Sequence, residues 1–321
     1  MISILFVIFL LILLFVAGPR PKLQSEAPQT TVPSGLSLTQ LDNWLQESEA
    51  KVCNLIADTE AKIIWADSMN PLMTPLSYLY VHGFSATRHE TSPVTERLAS
   101  ASHANAIYCR LAGHGVKPGM DASAEDWLQS VTDAWHIASA LGEKVVIIGT
   151  STGATLAVWL AMQEFTTGRI HAMLFMSPNF GIRHPLDFLL TWPWSPKWIH
   201  LFIGKERIRE PANELEATFW THRYSTLAII EMQKTIDWLN KIDLSSCRIP
   251  LATMYMKNDD TIDPVATVRV HEAWGADFKQ LIPVTLDGDR QQHVFTGYIT
   301  APHRVDWCIE RFNSFLKQIE S

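Results

Sequence analysis

One segment, VVIIGTSTGATLAVWLA at residues 145–161, constrains the fold of this chain more than any other. It begins with four aliphatic residues, continues through a short turn with two glycines, and ends in an apolar run rich in alanine. The first run is typical of a buried strand and the last of a buried helix. A strand that turns so tightly into a helix is half of the repeating unit of a parallel sheet, so the segment predicts an α/β protein.

The rest of the chain repeats this alternation. Helix-like stretches begin near residues 38, 91, 123, 152, 264 and 303. The strand-like runs are AKIIWAD, LSYLYVH, AIYCRL, KVVIIGT, HAMLFMS, PLATMYM and KQLIPVTL. Several of these runs are apolar on both faces, which predicts a mostly parallel sheet with helices on both sides.

The alternation stops at Pro178 and resumes near residue 250. Residues 179–247 between these points are rich in tryptophan and are predicted to be helical or irregular. The strands on either side belong to one pattern. The sequence therefore predicts a single α/β domain over residues 38–321 with a largely helical insertion at about 179–247.

The first segment differs from everything after it. ILFVIFLLILLFVA at residues 4–17 is uncharged, and together with its neighbours it approaches the roughly 17–25 residues that span a bilayer. We expect a membrane anchor over residues 1–18, with a cleaved signal peptide as the alternative. The basic Arg20 and Lys22 that follow favour a cytoplasmic domain, with export or a periplasmic location as the alternative. Residues 19–37, rich in Pro, Ser and Thr, are predicted to be a linker.

Composition argues against two classes of function. The net charge is −7 and no basic run is present, so no nucleic-acid partner is expected. The four cysteines form no CxxC pair, so no thiolate metal site is expected.

The turn in the opening segment, Gly149 to Gly153, fits the pattern G-x-S-x-G. Between a strand and a helix, such a turn holds the central side chain in a strained, exposed position. Gly149 and Gly153 are expected there because a Cβ would collide with neighbouring backbone. We therefore interpret Ser151 as a nucleophile. The alternative is that the turn has only a structural role.

A nucleophilic serine requires a base. His293 lies in the polar loop LDGDRQQHVFTG after the last predicted strand and is the candidate. His271 falls within a predicted helix and His303 at a predicted helix start, so both are weaker candidates.

The base in turn requires an orienting acid. The segment MYMKNDDTIDP offers Asp259, Asp260 and Asp263 after a predicted strand. We select Asp260 for its distance from the strand end, and expect at least one of the others to serve a turn or a helix cap. The order Ser151, Asp260, His293 is the chain order expected for this kind of triad.

Oxyanion donors are sought next to the nucleophile. YLYVHGF ends a predicted strand in His-Gly, and Gly83 allows the backbone to turn toward the same edge of the sheet. The backbone N–H groups of Phe84 and Thr152 are the candidate donors. We assign His82 to holding this loop by hydrogen bonds rather than to the role of base.

Taken together, the blocks VHGFSAT, CRLAGHGVKPG, GTSTG and KNDDTIDP with QHVFTG resemble the α/β-hydrolase superfamily. More narrowly, they are similar to the monoacylglycerol lipase and bacterial carboxylesterase group, which includes serine aminopeptidase-like hydrolases. The resemblance covers about residues 75–320. The chain departs from the group's pattern at Thr152, where a bulkier residue is more usual. It also departs at Lys257, where relatives often carry glycine.

The resemblance implies an α/β-hydrolase fold, with the insertion as a cap over the site. The cap's Trp192, Trp194, Trp198, Trp220 and Trp238, with Phe188, Leu189 and Leu190, either line an acyl pocket or pack the cap onto the domain. It also implies hydrolysis of carboxylic esters, of an acyl or lipid-derived small molecule, through an acyl-enzyme and without metal or cofactor. The alternatives are a thioesterase, acyltransferase or peptidase with the same triad, or a non-catalytic, membrane-tethered binding protein.

Overall fold

A computed structural model describes residues 2–285 and 293–319 of the 321-residue chain, with the side chains of Ile2 and Ser3 left aside. Its nine strands are β1 (Lys62–Ile64), β2 (Thr74–Val81), β3 (Asn105–Tyr108), β4 (Gly142–Thr150), β5 (Ile170–Met176), β6 (Glu206–Ile208), β7 (Arg223–Ser225), β8 (Leu251–Met256) and β9 (Lys279–Val284). Its helices are α1 (Ile2–Val16), α2 (Leu38–Ala50), α3 (Val94–Ala101), α4 (Ala124–Leu141), α5 (Thr152–Ala161), α6 (Ser195–Trp198), α7 (His200–Ile203), α8 (Glu214–Phe219), α9 (Thr226–Leu239), α10 (Pro264–Ala273) and α11 (Val305–Ile319).

Seven strands form one sheet in the order β1-β3-β2-β4-β5-β8-β9. Within this sheet, only β1 runs antiparallel to its neighbour, and every other described pair of its strands is parallel. The predicted mostly parallel sheet is confirmed. Because the strands are parallel, the carboxyl ends of β2, β4, β5 and β8 meet at one edge, where ligands bind in open α/β sheets.

Two hydrophobic clusters cover the two faces of the sheet. Val145 and Ile147 of β4 join the cluster that includes side chains of α4 and α5. Val146 and Ile148 join the cluster with α3 and α11. Successive residues of a strand point to opposite faces, so an aliphatic run without alternation is what a sheet covered on both sides requires.

The elements between β5 and β8 form the insertion. It contains α6 to α9 and a short antiparallel hairpin of β6 and β7, and it is therefore largely helical as predicted. Polar contacts join the insertion to the rest of the domain. Lys234 of α9 makes ion pairs of 2.7 Å with Glu125 of α4 and with Glu231.

The N-terminal helix α1 has 15 residues, and its described side chains are exposed. In the part of the chain that the structure describes, no helix combines the length and the apolar character needed to cross a membrane. The anchor expected over residues 1–18 is thus without support.

The segment predicted to be a linker lies along the domain instead of extending from it. The N–H of Gln24 donates to Glu125 at 2.8 Å, and the N–H of Thr31 donates to Asp133 at 2.7 Å. The indole of Trp159 donates to the carbonyl of Ser25 at 3.0 Å. Polar residues that suggested a tether therefore find partners on α4 and α5, which composition alone does not reveal.

Candidate active site

The loops at the carboxyl edge of the sheet bring together the predicted nucleophile, the predicted base and one of the three aspartates. Ser151 sits between β4 and α5 with φ 51° and ψ −121°. A positive φ is uncommon for a serine and stores strain that the surrounding structure must hold. The N–H of Ser151 donates to the carbonyl of Met176 at 3.1 Å, and its own carbonyl accepts from Asn179 at 3.0 Å.

The glycines of this turn are required by their neighbours. A Cβ on Gly153 would stand 2.1 Å from the carbonyl oxygen of Val81, and one on Gly149 would stand 2.6 Å from the Cα of Ala154. Both obstacles are backbone, which cannot rotate away. The close approach of α5 to the end of β2 therefore depends on Gly153.

We expect Gly153→Ala to lower the free energy of unfolding by about 3 kcal/mol or more, because β2 and α5 must separate to admit the methyl group. Gly168→Ala is the matched control. Gly168 has φ +71° but no atom within 4 Å of its missing Cβ, so only the backbone penalty of about 1 kcal/mol applies. Denaturant unfolding of both variants measures the difference, and equal losses would contradict the packing argument.

His293 hydrogen-bonds to two of its neighbours. Its Nε2 lies 2.9 Å from the hydroxyl oxygen of Ser151, and its Nδ1 lies 2.8 Å from a carboxylate oxygen of Asp259. An ionised carboxylate can only accept, so Nδ1 carries the proton and Nε2 accepts from the serine hydroxyl. This tautomer is the one that a general base next to a serine needs.

The electrostatics of Asp259 suit this arrangement. The residue is fully buried, and burial raises its pKa. The hydrogen bond from His293, with the N–H groups of Ile262 and Thr261, outweighs burial and holds the pKa below its ordinary value. Both N–H groups donate to the second carboxylate oxygen, at 3.0 and 2.9 Å.

The structure corrects the choice of aspartate. Asp260 is exposed, and its carboxylate accepts from the hydroxyl of Thr261 at 3.1 Å rather than from the imidazole. Asp263 caps α10 by accepting the N–H of Val265 at 2.9 Å. The reason is a turn after β8, where the N–H of Asp259 donates to the carbonyl of Met256 and directs Asp259 inward.

The two other histidines considered as bases lie elsewhere. His271 is buried on α10 with Nδ1 3.0 Å from the hydroxyl of Thr253, and burial lowers its pKa to about 4. His303 is exposed in a short helical turn before α11.

The loop after β2 passes over the nucleophile. A Cβ on Gly83 would lie 3.0 Å from the Cβ of Ser151. The imidazole of His82 donates from Nδ1 to the carbonyl of Gly83 at 2.9 Å, while its Nε2 accepts the N–H of Leu111 at 3.1 Å. Burial, followed by the neighbouring His114, lowers the pKa of His82 well below its ordinary value. His82 is therefore a neutral support of the loop.

This support directs Phe84. In a trans peptide the C=O and the next N–H point in opposite directions, so anchoring the carbonyl of Gly83 on His82 turns the N–H of Phe84 the other way. Thr152 is the first residue of α5, and its N–H is among the amides that a helix start leaves without intrahelical partners.

Two residues that hold the backbone of the site in place were not identified from the sequence. The hydroxyl of Ser177 donates to the carbonyl of His293 at 2.7 Å, and the guanidinium of Arg183 donates to the carbonyl of Asp259 at 2.5 Å. Both follow the carboxyl end of β5, and polar residues at that position were the available signal. Within the described ranges, no cluster of three or more His, Cys, Asp and Glu side chains is arranged to hold a metal.

The apolar side chains of the insertion are partly packed and partly exposed. Leu190 packs with Ile199 and Ile230 inside the insertion. Trp220 packs against Ala86 of the loop after β2, and Trp192 is 38 % exposed.

Comparison with known proteins agrees with this architecture. A family model described as the alpha/beta hydrolase family matches residues 78–303. A thermostable monoacylglycerol lipase of Bacillus sp. (strain H-257) is 33 % identical over 89 residues, which is 27 % of this chain and 35 % of that protein. The aligned part is thus about one third of the relative's length.

Solved structures extend the likeness over most of the chain. A structure reported with the metagenome-derived lipolytic enzymes LipS and LipT has a TM-score of 0.66 and 17 % identity, covering 82 % of this chain and 99 % of that one. Monoglyceride lipase from Saccharomyces cerevisiae has a TM-score of 0.60 and 11 % identity, covering 81 % and 91 %. Monoacylglycerol lipase from Paleococcus ferrophilus has a TM-score of 0.58 and 15 % identity, covering 81 % and 98 %.

At these low identities the structural likeness concerns the fold, whereas the family model covers more than half of the sequence. The chain belongs to the alpha/beta hydrolase family.

Proposed function

We propose that this protein is a serine hydrolase that cleaves carboxylic esters through an acyl-enzyme on Ser151. The observation that carries the proposal is the continuous hydrogen-bonded chain from Ser151 through His293 to the buried Asp259. Lipase and esterase relatives support ester hydrolysis as the reaction class.

The first half of the proposed reaction uses this hydrogen-bonded chain. The Nε2 atom of His293 takes the proton of Ser151, whose oxygen attacks the acyl carbonyl. Asp259 holds the imidazole tautomer and stabilises the imidazolium that forms. The N–H groups of Phe84 and Thr152 donate hydrogen bonds to the negatively charged carbonyl oxygen. Each such donor stabilises the transition state by about 3 kcal/mol in comparable sites.

The second half reverses these roles. His293 returns its proton to the leaving alcohol, and the acyl group remains on Ser151. Water then enters, and His293 removes a proton from it while the water oxygen attacks the acyl carbon. His293 passes this proton to the oxygen of Ser151 as the bond between that oxygen and the acyl carbon breaks, which releases the acid and restores the serine. All of these steps use side chains and amides of this chain.

The proposed substrate is a small acyl ester of lipid origin, with monoacylglycerol as the first choice. The names of the Bacillus, yeast and Paleococcus proteins suggest this class. The ring of Phe84 packs edge to face on Tyr224 of the insertion at 5.2 Å and on Trp127 at 6.1 Å. An apolar wall next to the donor loop suits an acyl chain.

A reactivity test addresses the proposal directly. The full-length protein is treated with a fluorophosphonate, and the adduct is located by peptide mass spectrometry. We expect one adduct, on Ser151, because only an activated serine reacts rapidly with this reagent. A folded protein that stays unlabelled at Ser151 would contradict the proposal and favour a binding role.

An ester panel then separates the substrate classes. Monoacylglycerols of several chain lengths are compared with di- and triacylglycerols, an acyl-CoA thioester and a peptide amide. We expect the highest kcat/KM for a monoacylglycerol. A clear preference for the thioester or the amide would replace the substrate class while keeping the nucleophile.

A further inference from the structure

A buried carboxyl group that the proposed reaction does not use lies beneath the loop after β2. Glu90 is 1 % exposed and ends the short turn Arg88–Glu90. Its Oε1 accepts the N–H of Gly83 at 2.5 Å and the hydroxyl of Tyr80 at 2.8 Å. Its Oε2 and the Cβ of Ser151 both lie 3.0 Å from the position that a Cβ on Gly83 would take. The carboxyl group is thus next to the nucleophile and outside the triad.

Glu90 belongs to a polar network that joins three elements. The hydroxyl of Tyr80 on β2 accepts from Thr91 at 2.8 Å and lies 3.2 Å from the hydroxyl of Thr150, the residue before the nucleophile. A buried carboxyl group is costly unless its hydrogen bonds are satisfied. The network supplies them and ties Glu90 to both β2 and β4.

The loop after β2 contains Gly83 immediately before Phe84, whose N–H is the candidate oxyanion donor. Gly83 has no Cβ to restrict its backbone, so the peptides on either side of it must be held by other groups. The carbonyl of Gly83 accepts from His82 at 2.9 Å and from the N–H of Ala86 at 3.3 Å. The N–H of Gly83, in the preceding peptide, is held by Glu90.

We propose that Glu90 is a positioning residue for the oxyanion donor: its buried carboxyl group holds the N–H of Gly83, and with His82 on the other side it orients the N–H of Phe84 toward the substrate oxygen. This inference rests on the proposed function, because it assigns to Glu90 a role in that reaction. Glu90 acts through Gly83 and need not touch the substrate.

The environment of Glu90 favours its uncharged form. Burial raises its pKa from 4.5 to about 8, although the hydrogen bonds from Gly83 and Tyr80 lower it. Several titratable and charged side chains are linked to Glu90 directly or through one neighbour. Tyr80 bonds to it, the Tyr80 ring contacts that of Tyr108 at 5.5 Å, and Glu96 of α3 acts on Tyr108. Arg88 and His89 share its turn, Tyr298 bonds to His89, and His293 bonds to the nearby Ser151. In its turn, the guanidinium of Arg88 pairs with Asp58, and the Nε2 of His89, whose pKa is lowered by burial, lies 3.1 Å from the same carboxylate.

The protonation state matters for the reaction. A neutral carboxyl group still accepts the N–H of Gly83 through Oε1, without placing a negative charge beside the developing oxyanion. Above about pH 8 the group ionises, and its charge opposes that of the transition state. We therefore expect kcat/KM to decline as the pH rises through about 8.

Two substitutions at Glu90 separate orientation from charge. Glu90→Gln keeps an acceptor for Gly83 and cannot ionise, so we expect kcat/KM within about threefold of wild type at pH 7 and no decline near pH 8. Glu90→Ala leaves the N–H of Gly83 without its acceptor, so we expect kcat to fall about 10–100-fold with KM within about twofold. The readouts are pH profiles of monoacylglycerol or nitrophenyl ester hydrolysis with the full-length protein.

Glu96→Gln is the matched control. Glu96 lies on the next helix, its carboxylate accepts the hydroxyl of Ser92 at 2.6 Å, and the substitution makes the same replacement of a carboxyl group by an amide. We expect this variant to keep the wild-type decline near pH 8.

Stability provides a readout that does not depend on activity. Because the folded state binds a proton on Glu90 that the unfolded state loses above pH 4.5, the wild type loses stability as the pH rises from about 4.5 to about 8. Glu90→Gln lacks this loss. We expect the melting temperature of Glu90→Gln minus that of the wild type to increase as the pH rises across that window, and to stay constant at higher pH.

The outcomes distinguish this inference from the proposed function. A Glu90→Ala variant that melts cooperatively and keeps the wild-type kcat would overturn the positioning role, as would a Glu90→Gln variant with the wild-type alkaline decline. If Glu90→Ala does not fold, the Glu90→Gln profile decides alone. A wild type that neither reacts with fluorophosphonate nor hydrolyses esters would overturn the proposed function and this inference with it.

Discussion

Replacing Ser151 with alanine is expected to lower kcat for ester hydrolysis by about 10⁴–10⁶-fold, with little change in KM. The expected loss is large because, in the proposed mechanism, the hydroxyl oxygen forms the acyl-enzyme, and neither His293 nor Asp259 can replace it. His293 and Asp259 would remain bonded to each other, so the fold should persist. The residual rate would reflect the oxyanion donors and substrate binding alone. Initial rates with a short-chain nitrophenyl ester, together with a circular dichroism melt, measure both quantities.

Ser102→Ala is the matched control for Ser151→Ala. Ser102 ends α3 just before β3 begins, which places it at the amino edge of the sheet, opposite the loops that carry the site. Its hydroxyl lies 2.8 Å from that of Tyr78. We expect wild-type kcat for this variant. A Ser151→Ala protein that still forms a fluorophosphonate adduct or turns over the ester would show that another residue is the nucleophile.

The sequence revealed most where the determinant is local. The strand, the turn with Gly149 and Gly153, and the helix that follows are adjacent in the chain, so residue size and hydrophobic pattern sufficed to predict the strained Ser151. His293 could be predicted to lie near Ser151 because it follows the last strand, at the edge of the sheet where the other loops meet. The start of α4 near residue 123 was predicted for the same reason, and in the structure Ser123 caps it by accepting the N–H of Asp126.

The sequence revealed least where partners come from distant segments. Glu90 bonds to Gly83 and Tyr80 across the end of β2, and no spacing rule brings those groups to attention. The residues after Gly18 suggested a tether, because composition does not show that Glu125 and Asp133 of α4 would accept their N–H groups.

The aspartate selected from the sequence, Asp260, lies one position from the residue that contacts His293, and the reason is related. Asp259 and Asp260 differ by a single step in a turn, and adjacent side chains there point in different directions. Which of them faces the imidazole depends on the hydrogen bond from Asp259 back to Met256, a matter of loop conformation that residue identity does not determine. The turn places one carboxylate in a fully buried position and the other in solvent.

Because only Asp259 contacts the imidazole, substitutions at the two aspartates are expected to differ greatly in effect. We expect Asp259→Asn to lower kcat by about 10⁴-fold, because an asparagine can present its amide N–H₂ to Nδ1 and favour the tautomer with the proton on Nε2. That tautomer cannot accept the proton of Ser151. The backbone donors of Thr261 and Ile262 can still bond to the amide oxygen, so the loop should keep its shape.

Asp260→Asn makes the same chemical change one residue later and serves as the matched control. Its carboxylate is exposed and bonds only to Thr261 among the described residues, so we expect kcat within about twofold of wild type. The two variants are compared in ester hydrolysis and in fluorophosphonate labelling rate at pH 7. Because both remove one negative charge from the same loop, a general electrostatic effect would lower both rates alike. Only the contact between Asp259 and Nδ1 of His293 predicts loss in one and not the other, and the reverse result would return the acid's role to Asp260.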